Sequence, residues 1–285
     1  MAEPSVRSLV VFALLVLVTP VAMAASSPVF DHPAVAATGS LGADLVPCTE
    51  LAPTDGGLAI TCPPAIRPGA RMTSPAGCTM NFVVTDGIDH FIGTAAHCVA
   101  PDDIVHVAGV GRIGRVALEG PNGDWAFVRI DADKLGLVDP TMCRFGGPHA
   151  GLDGKTVREP LPGDVLLHYG HGWVAGSQEP TRGRAAATVL PWAFYGHEFV
   201  FLGSAAGGDS GSPVRFATGE AAGILVGILA PGPDVTQAAA VVTVATKFGH
   251  AMADLSAFLG REVTVVLGEP PLPVAASAGG VTLAD

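Results

Sequence analysis

The chain has 285 residues and a formal net charge of −11, which comes from 26 acidic residues against 15 lysines and arginines. Nucleic-acid binding needs a concentrated basic face, and none is visible in this sequence, so we expect no nucleic-acid partner. Charged residues make up only 14% of the chain, while 37 glycines and 24 prolines indicate many turns. The composition therefore favours a soluble protein built from short strands.

The N-terminus has the pattern of an export signal. Arg7 precedes the apolar run "LVVFALLVLV", which Thr19 and Pro20 interrupt, and "AMA" supplies small residues ending at Ala24. The run is shorter than the about 20 residues that a membrane span requires. We predict that residues 1–24 are a signal peptide and that the protein is secreted without a stable membrane anchor.

The remaining chain divides by composition. Residues 25–70 mix Pro, Ala and Gly without sustained periodicity, which predicts an N-terminal extension or pro-segment. Residues 71–266 contain the regular apolar pattern and are predicted to form the folded domain. Residues 267–285 are again Pro, Ala and Gly with little to bury, so we expect a disordered tail.

The folded domain is predicted to be all-β with one helix near its end. Short apolar runs alternate with turn clusters at the spacing expected of a barrel or sandwich protein. We interpret twelve of these runs as strands: "TMNFVVTDG", "DHFIGTAAH", "DDIVHVAGVG", "RIGRVAL", "GDWAFVRID", "GDVLLHYGHG", "WVAGS", "GRAAATVL", "HEFVFLG", "PVRF", "GILVGILA" and "VVTVATKF". In "HAMADLSAFLG", Met252, Leu255 and Leu259 lie at helical intervals before a terminal Gly.

Three short motifs carry candidate chemistry. "FIGTAAHCV" presents His97, "NGDWAFVRI" places Asp124 where a turn enters a strand, and "GGDSGSP" surrounds Ser210 with small residues. Each motif alone has an ordinary explanation: a core histidine, a capping aspartate and a turn serine. Together they occur in the order His, Asp, Ser, which is one of the known chain orders of a Ser-His-Asp triad.

With these motifs the sequence resembles the secreted bacterial trypsin-like, chymotrypsin-fold serine peptidases over residues 74–260. The resemblance implies two packed six-stranded antiparallel β-barrels, followed by a C-terminal helix, with the site in the cleft between the barrels. His97 and Asp124 would come from the first barrel and Ser210 from the second. Ser210 would be the nucleophile, His97 its base, and Asp124 the group that orients the imidazole.

The resemblance also assigns roles to the small residues around the serine. The backbone N–H groups of Gly208 and Ser210 would form the oxyanion hole. The carboxylate of Asp209 would shape the loop. Ser212 departs from the commoner Gly at its position and adds one side chain, for which we expect a slight effect.

Specificity is predicted from the same alignment. The residue at the floor of the pocket that binds the side chain before the cut would be Ser204, and the wall would include Ala230 and Gly232. A hydroxyl at the floor supplies no charge for a substrate Arg or Lys, so we expect a preference for apolar side chains. Glu198 or Asp234 would change this expectation if a loop brought either one into the pocket.

The five cysteines of a secreted chain are disulfide candidates first, and they contain no C-x-x-C spacing. The resemblance implies a disulfide between Cys78 and Cys98, behind the histidine. Two of Cys48, Cys62 and Cys143 would form a further bond, either within the N-terminal extension or between the extension and the linker that joins the barrels.

Activation by cleavage is not expected. Arg71 is the nearest basic cut site, and the few residues between it and Cys78 are too short to carry a new N-terminus to the second barrel.

Other functional interpretations of the sequence remain. Asp234 and His250 follow Ser210 in the order of an α/β-hydrolase triad, but G-x-S-x-G is absent and helices are too few. A GDS-type esterase would carry its serine near the start of the domain. A catalytically silent homologue that acts as an extracellular binding module is the stronger alternative.

The expected cofactor and metal content is nil. His168 and His171 lie in a Gly-rich stretch at a spacing that does not define a metal site, and we interpret them as surface or strand-end histidines. We expect a monomer that acts on protein or peptide substrates.

Overall fold

Two antiparallel β units make up the part of the chain that the computed structural model describes, which is residues 64–142, 146–174, 177–188, 196–229 and 240–268. All of these residues belong to one compact unit, Val46–Asp285. The strands are β1 Met72–Ser74, β2 Val83–Thr85, β3 His90–Thr94, β4 Ile104–Val107, β5 Gly111–Glu119, β6 Ala126–Ile130, β7 Val165–Val174, β8 Ser177–Thr188, β9 Glu198–Ser204, β10 Pro213–Phe216, β11 Ala221–Leu229, β12 Ala240–Lys247 and β13 Thr264–Val265. The helices are α1 Phe248–Leu259 and two short 3-10 helices, Ala96–Cys98 and Ala132–Leu137.

The first unit, for which a six-stranded barrel was predicted, is a seven-stranded antiparallel sheet in the order β1-β4-β5-β6-β3-β2-β13. Its central strands pair in register, with Ile92 opposite Val83 on one side and opposite Val128 on the other. All three side chains are fully buried, and they form the core of this unit. The seventh strand was not expected: β13 follows the helix and returns to pair Val265 with Val84.

The second unit is a closed six-stranded barrel in the order β10-β11-β12-β9-β8-β7, as predicted. Strand β9 is buried over its first four residues, Glu198–Phe201, and Phe199 and Phe201 are fully buried in the core of the barrel. Both faces of this part of the strand are therefore covered, and exposure begins only at Leu202, which is 57% exposed.

Helix α1 is confirmed where the periodicity predicted it. Phe248, Ala251 and Leu255 form its buried face, and Gly260 ends it in the left-handed conformation at φ 64°. The ring of Phe248 lies 5.1 Å from that of Phe82, so the helix packs on the first sheet. No helix within the described ranges has both the length and the apolar character needed to cross a bilayer.

The strand predictions succeeded where the apolar runs were long. Eleven of the thirteen described strands fall on predicted runs, and the first two residues of "WVAGS" continue the run "GDVLLHYGHG" as one strand, β7. The two strands that the sequence missed, β1 and β13, have three and two residues. Segments that short do not show a readable period.

The interpretation of His168 and His171 as surface or strand-end histidines was wrong. Both lie within β7, at 1% and 5% exposure. The imidazole Nδ1 of His171 is 2.8 Å from the carbonyl oxygen of Gly69, and its backbone N–H donates to the hydroxyl of Thr79 at 3.0 Å. Hydrogen bonding makes such burial of a polar ring possible.

The packed domain begins before Arg71. Ile66 is fully buried in the core of the first sheet, and its backbone N–H donates to the carbonyl of Leu137 at 2.8 Å. Arg67 forms an ion pair with Asp139 at 3.2 Å. Residues 64–70, assigned from sequence to the extension, thus pack with the domain, and the predictions for residues 1–63 and 269–285 lie outside the described residues.

Candidate active site

His97 lies in the short 3-10 helix that follows β3. The disulfide between Cys78 and Cys98 is confirmed, and it ties this helix to the segment that leads into β2. The side chain of His97 is 45% exposed, so its imidazole is open to solvent on one side. The disulfide therefore fixes the backbone beside His97, while the imidazole ring stays accessible.

Asp124 lies in the turn between β5 and β6 and contacts His97 twice. Its Oδ1 accepts the backbone N–H of His97 at 2.9 Å, and its Oδ2 lies 2.6 Å from the imidazole Nδ1. The next residue, Trp125, is fully buried, and the turn packs so closely on its indole that a Cβ on Gly120 would lie 2.7 Å from it. Burial of Trp125 thereby fixes the position of Asp124 in the turn that leads into β6.

The environment raises the pKa of His97 above its usual value near 6.5. The hydrogen bond that the imidazole donates to Asp124 is the main cause, and the negative charge of Asp124 adds to it, while burial acts in the opposite direction. Asp124 therefore holds the ring in one orientation and favours the imidazolium form.

The imidazole of His97 also lies beside the cystine. One ring nitrogen and the sulfur atoms of Cys78 and Cys98 all lie within 4.8 Å of one another. Metal binding by cysteine requires thiolates, and these two sulfurs are bonded to each other. The cluster is therefore a structural contact, and the residues do not fit a metal site.

Ser210 lies in the turn between β9 and β10, the loop of residues 207–212. Asp209 shapes this loop: its Oδ2 accepts the N–H of Ala206 at 2.8 Å, and its own N–H donates to the carbonyl of Ala206 at 3.0 Å. Gly208 and Gly211 have φ angles of 97° and 93°, which L-residues with a side chain rarely adopt. The small residues in the motif are thus required by the backbone of the turn.

Three backbone N–H groups of this loop, those of Gly207, Gly208 and Ser210, have no acceptor among the described residues, and two of them are the predicted oxyanion-hole donors. Within the described part of the chain, the N–H groups of Gly208 and Ser210 donate to no acceptor. The carbonyls of the preceding residues are held, since Gly207 accepts from Trp173 at 2.6 Å and Asp209 accepts from Ser212 at 2.8 Å. Because a peptide is planar with its C=O and N–H on opposite sides, these bonds fix the direction of both free N–H groups.

The structure brings the loop of Ser210 against the first sheet. The N–H of Thr79 donates to the carbonyl of Ser210 at 2.8 Å, and the hydroxyl of Thr79 donates to the carbonyl of Gly208 at 2.9 Å. Among the hydrogen bonds of the described residues, none joins the hydroxyl of Ser210 to the imidazole of His97. Hydrogen bonds between catalytic groups are often long in unliganded proteins.

Ser212 is fully buried behind the loop, and within the described residues its hydroxyl has no hydrogen-bond partner. It lies against β7, where a Cβ on Gly170 would fall 1.9 Å from the Ser212 oxygen. Gly170 is therefore the residue that makes room for the extra side chain of this motif.

The predicted specificity residues are only partly described. Ser204 is the last residue of β9, where it pairs with Ala240, and its side chain is outside the described set. Ala230 and Gly232, and with them Asp234, lie outside the described residues. Glu198 opens β9 and is therefore about 20 Å along the strand from Ser204, which is too far to enter a pocket built on that residue.

Sequence reasoning missed three polar residues that support the loop: Thr79, Asn81 and Thr94. All three are fully buried. The hydroxyl of Thr94 donates to the carbonyl of Thr79 at 3.0 Å, and the side-chain amide of Asn81 donates to the carbonyl of Gly211 at 2.8 Å. The only signal in the sequence was an asparagine inside an otherwise apolar run, "TMNFVV".

The first sheet contributes His97 and Asp124 and the second barrel contributes Ser210, an arrangement that defines the chymotrypsin-like class of fold. The motifs of the sequence predicted this division of the three residues between the two units. No protein-family model matches the chain, and no curated protein matches it.

Solved structures of three bacterial proteases are similar to this chain. Protease A of Thermobifida fusca is 20% identical, with a TM-score of 0.48, and the match covers 72% of this chain and 100% of that one. Nocardiopsis protease is 19% identical, with a TM-score of 0.49, over 70% and 98% of the two chains. Cellulomonas bogoriensis chymotrypsin is 18% identical, with a TM-score of 0.45, over 70% and 99%.

Proposed function

We propose that this protein is a secreted serine endopeptidase that hydrolyses peptide bonds through an acyl-enzyme intermediate, with Ser210 as the nucleophile, His97 as the general base and acid, and Asp124 as the orienting carboxylate. The observation that carries the proposal is the double contact of Asp124 with His97, through the backbone N–H at 2.9 Å and the imidazole Nδ1 at 2.6 Å. This arrangement leaves Nε2 of a half-exposed ring as the proton acceptor.

The chemistry follows from the protonation states. The hydroxyl oxygen of Ser210 attacks the carbonyl carbon of the scissile bond, and its proton passes to Nε2 of His97. The resulting imidazolium is stabilised by Asp124, which is the interaction that raises the pKa of His97. The imidazolium then gives its proton to the leaving amine, and the acyl group remains on Ser210. Water repeats the sequence to release the acid.

The free N–H groups of Gly208 and Ser210 support the same mechanism. As the carbonyl becomes tetrahedral, its oxygen acquires a negative charge that needs fixed donors. Both groups donate to nothing among the described residues, and both are held in direction by bonds on the neighbouring carbonyls. Removal of one such donor typically slows an enzyme by about 100- to 1,000-fold.

The alternative is a catalytically silent homologue that acts as an extracellular binding module. One observation favours it: within the described residues, the hydroxyl of Ser210 makes no hydrogen bond to His97. An active enzyme and a silent one differ in whether Ser210 can be activated, which a covalent probe measures directly.

The proposal includes location and specificity. The disulfide between Cys78 and Cys98 is the kind of bond that persists outside the cytosol, and it supports export after cleavage of the predicted signal peptide. With Ser204 at the pocket floor and Ala230 and Gly232 on its wall, we expect apolar side chains to be preferred before the cut. Protein or peptide substrates require no cofactor in this chemistry.

Labelling with a fluorophosphonate, followed by mass analysis of the secreted form, tests the function. The reagent phosphonylates only an activated serine, so the expected result is one adduct, on the peptide that contains Ser210. Labelling is expected to disappear when the reaction is run at an acidic pH at which His97 is protonated. An intact protein without an adduct at Ser210 would favour the binding module. The same spectra report where the mature chain begins.

A further inference from the structure

Asn81 is a buried asparagine that the proposed mechanism does not use. It lies just before β2, in an apolar run, and its side chain is fully buried. Its backbone N–H donates to the carbonyl of Gly93 at 2.6 Å, which fixes it beside β3. A Cβ on Gly93 would fall 2.9 Å from the Cβ of Asn81, so the glycine leaves the room that the asparagine occupies.

The side chain of Asn81 reaches from the first sheet to the loop of Ser210. Its Nδ2 donates to the carbonyl of Gly211 at 2.8 Å and to that of Ser212 at 2.9 Å. The carbonyl of Gly223, on β11, lies 3.4 Å away. All three neighbours of the amide nitrogen are acceptors, so the nitrogen, and not the oxygen, must face the loop.

These contacts connect Asn81 to the proposed oxyanion hole through two peptide planes. The carbonyl that Asn81 holds on Gly211 belongs to the same planar unit as the N–H of Ser212. That N–H donates to the carbonyl of Asp209 at 2.8 Å. The carbonyl of Asp209 in turn shares its plane with the N–H of Ser210, which is a donor of the proposed oxyanion hole. The hydrogen bond from Asn81 to Gly211 therefore helps to fix the orientation of the Ser210 N–H.

We propose that Asn81 is a positioning residue for catalysis: its side-chain amide, reaching from the first sheet, donates to the carbonyls of Gly211 and Ser212 and so sets the direction of the Ser210 N–H. The inference rests on the proposed function for its kinetic consequence, while the structural hold does not depend on activity. Gly211 has a φ of 93° and no side chain that could anchor the loop. The backbone between Ser210 and Ser212 therefore depends on hydrogen bonds from neighbouring residues such as Asn81.

The test compares Asn81→Ala with Ile92→Ala. Both side chains are fully buried in the first unit, but Ile92 belongs to its apolar core cluster, so its variant controls for loss of stability. We expect Asn81→Ala to lower kcat by about 10- to 100-fold, because small misplacement of reacting groups has effects of that size. KM is expected to stay close to that of the wild type, since Asn81 lies behind the loop and does not face substrate.

A transition-state readout separates positioning from general damage. A peptide boronate, which forms a tetrahedral adduct on the serine, is expected to bind Asn81→Ala more weakly by the same factor as kcat falls. Asn81→Asp keeps the volume but turns acceptors toward the carbonyls, so its loss is expected to exceed that of Asn81→Ala. If Asn81→Asp does not fold, the comparison of the two alanine variants decides.

Amide hydrogen exchange reports on the loop without turnover. The N–H groups of Gly211 and Ser212, which donate to Leu225 and Asp209, are expected to exchange faster in Asn81→Ala and to be unchanged in Ile92→Ala. Equal kcat and equal exchange in the two alanine variants would overturn the positioning role. A wild-type protein that is not labelled by fluorophosphonate would overturn the proposed function alone, because exchange still measures the hold of Asn81 on the loop.

Discussion

The backbone N–H of Thr79, in the segment that leads into the first sheet, donates a 2.8 Å hydrogen bond to the carbonyl oxygen of Ser210, in a loop of the second barrel. The two residues are 131 positions apart in the sequence. Thr79 follows Cys78 directly, and Cys78 is bonded to Cys98, the neighbour of His97. A short covalent path therefore connects the backbone that holds the proposed nucleophile with the backbone that holds the proposed base.

Ser210→Ala is expected to abolish hydrolysis and leave the fold intact. Deletion of a triad nucleophile costs about a million-fold in kcat. Turnover of unfolded casein and circular dichroism check the two halves of the prediction. Ser212→Ala is the matched control, because it removes a neighbouring hydroxyl that is buried without a partner among the described residues. That variant should keep near wild-type activity; loss of turnover in Ser212→Ala alone would contradict the assignment of Ser210.

Asp124→Asn is expected to keep the fold and lower kcat by about 10,000-fold, because the amide no longer fixes the tautomer of His97 or stabilises the imidazolium. Single-turnover kinetics measure the effect. Asp131→Asn is the control, since Asp131 contacts the exposed Arg112 and not the site. An equal loss in both variants would indicate a nonspecific effect of removing a carboxylate.

The same variant changes the pH profile in a predictable direction. His97 must be neutral to accept a proton, and Asp124 raises its pKa above the usual value near 6.5. The acid limb of kcat/KM in the wild type is therefore expected to lie above pH 6.5, with activity rising as pH increases through the limb. In Asp124→Asn the limb should move to lower pH. A limb that does not move would show that another group titrates.

Loss of the Cys78–Cys98 bond is expected to affect both stability and catalysis. The bond spans 20 residues, for which the loop-closure model gives about 3 kcal/mol of stabilisation. Urea unfolding of the double variant Cys78→Ala, Cys98→Ala measures this loss. Activity per folded molecule should also fall, because Thr79 and His97 each adjoin a cysteine of the pair. Unchanged kcat in the folded fraction would limit the bond to a structural role.

Gly211→Ala is expected to destabilise the protein by about 3 kcal/mol, because it combines a strained φ with overpacking. The φ of Gly211 is 93°, and an added Cβ would lie 1.9 Å from the carbonyl oxygen of Thr79. Gly207→Ala is the matched control in the same loop, since a Cβ there meets nothing within 4 Å. Thermal unfolding of the two variants should differ clearly, and similar melting temperatures would contradict the close approach of the loop to Thr79.

Specificity is expected to favour apolar side chains before the cut. Ser204 provides no carboxylate to pair with a substrate cation, and burial of an unpaired cation costs several kcal/mol. Profiling with a peptide library varied at that position measures the preference. A preference for Arg or Lys would refute the alignment of the pocket, even with hydrolysis at Ser210 intact. With Ser204 at the pocket floor, Ser204→Asp is expected to shift the preference toward basic side chains.

The sequence alone was enough to predict features that depend on nearby residues. Helix α1 could be read from the spacing of Met252, Leu255 and Leu259, and its end from Gly260, because helical periodicity and a left-handed cap are local properties. The positions of His97, Asp124 and Ser210 could be predicted because each lies in a short sequence motif. The Cys78–Cys98 bond followed from the resemblance that those motifs carry.

Only the tertiary structure decided which distant residues meet. Asn81 donates to Gly211 across 130 positions, and no local pattern encodes such a contact. His171 is buried because Gly69 and Thr79, both far from it in sequence, accept its hydrogen bonds. The two-residue strand β13 forms because the chain after helix α1 pairs with the edge of β2. Packing, and not local preference, sets these contacts, since a polar group can be buried only where the fold brings it a partner.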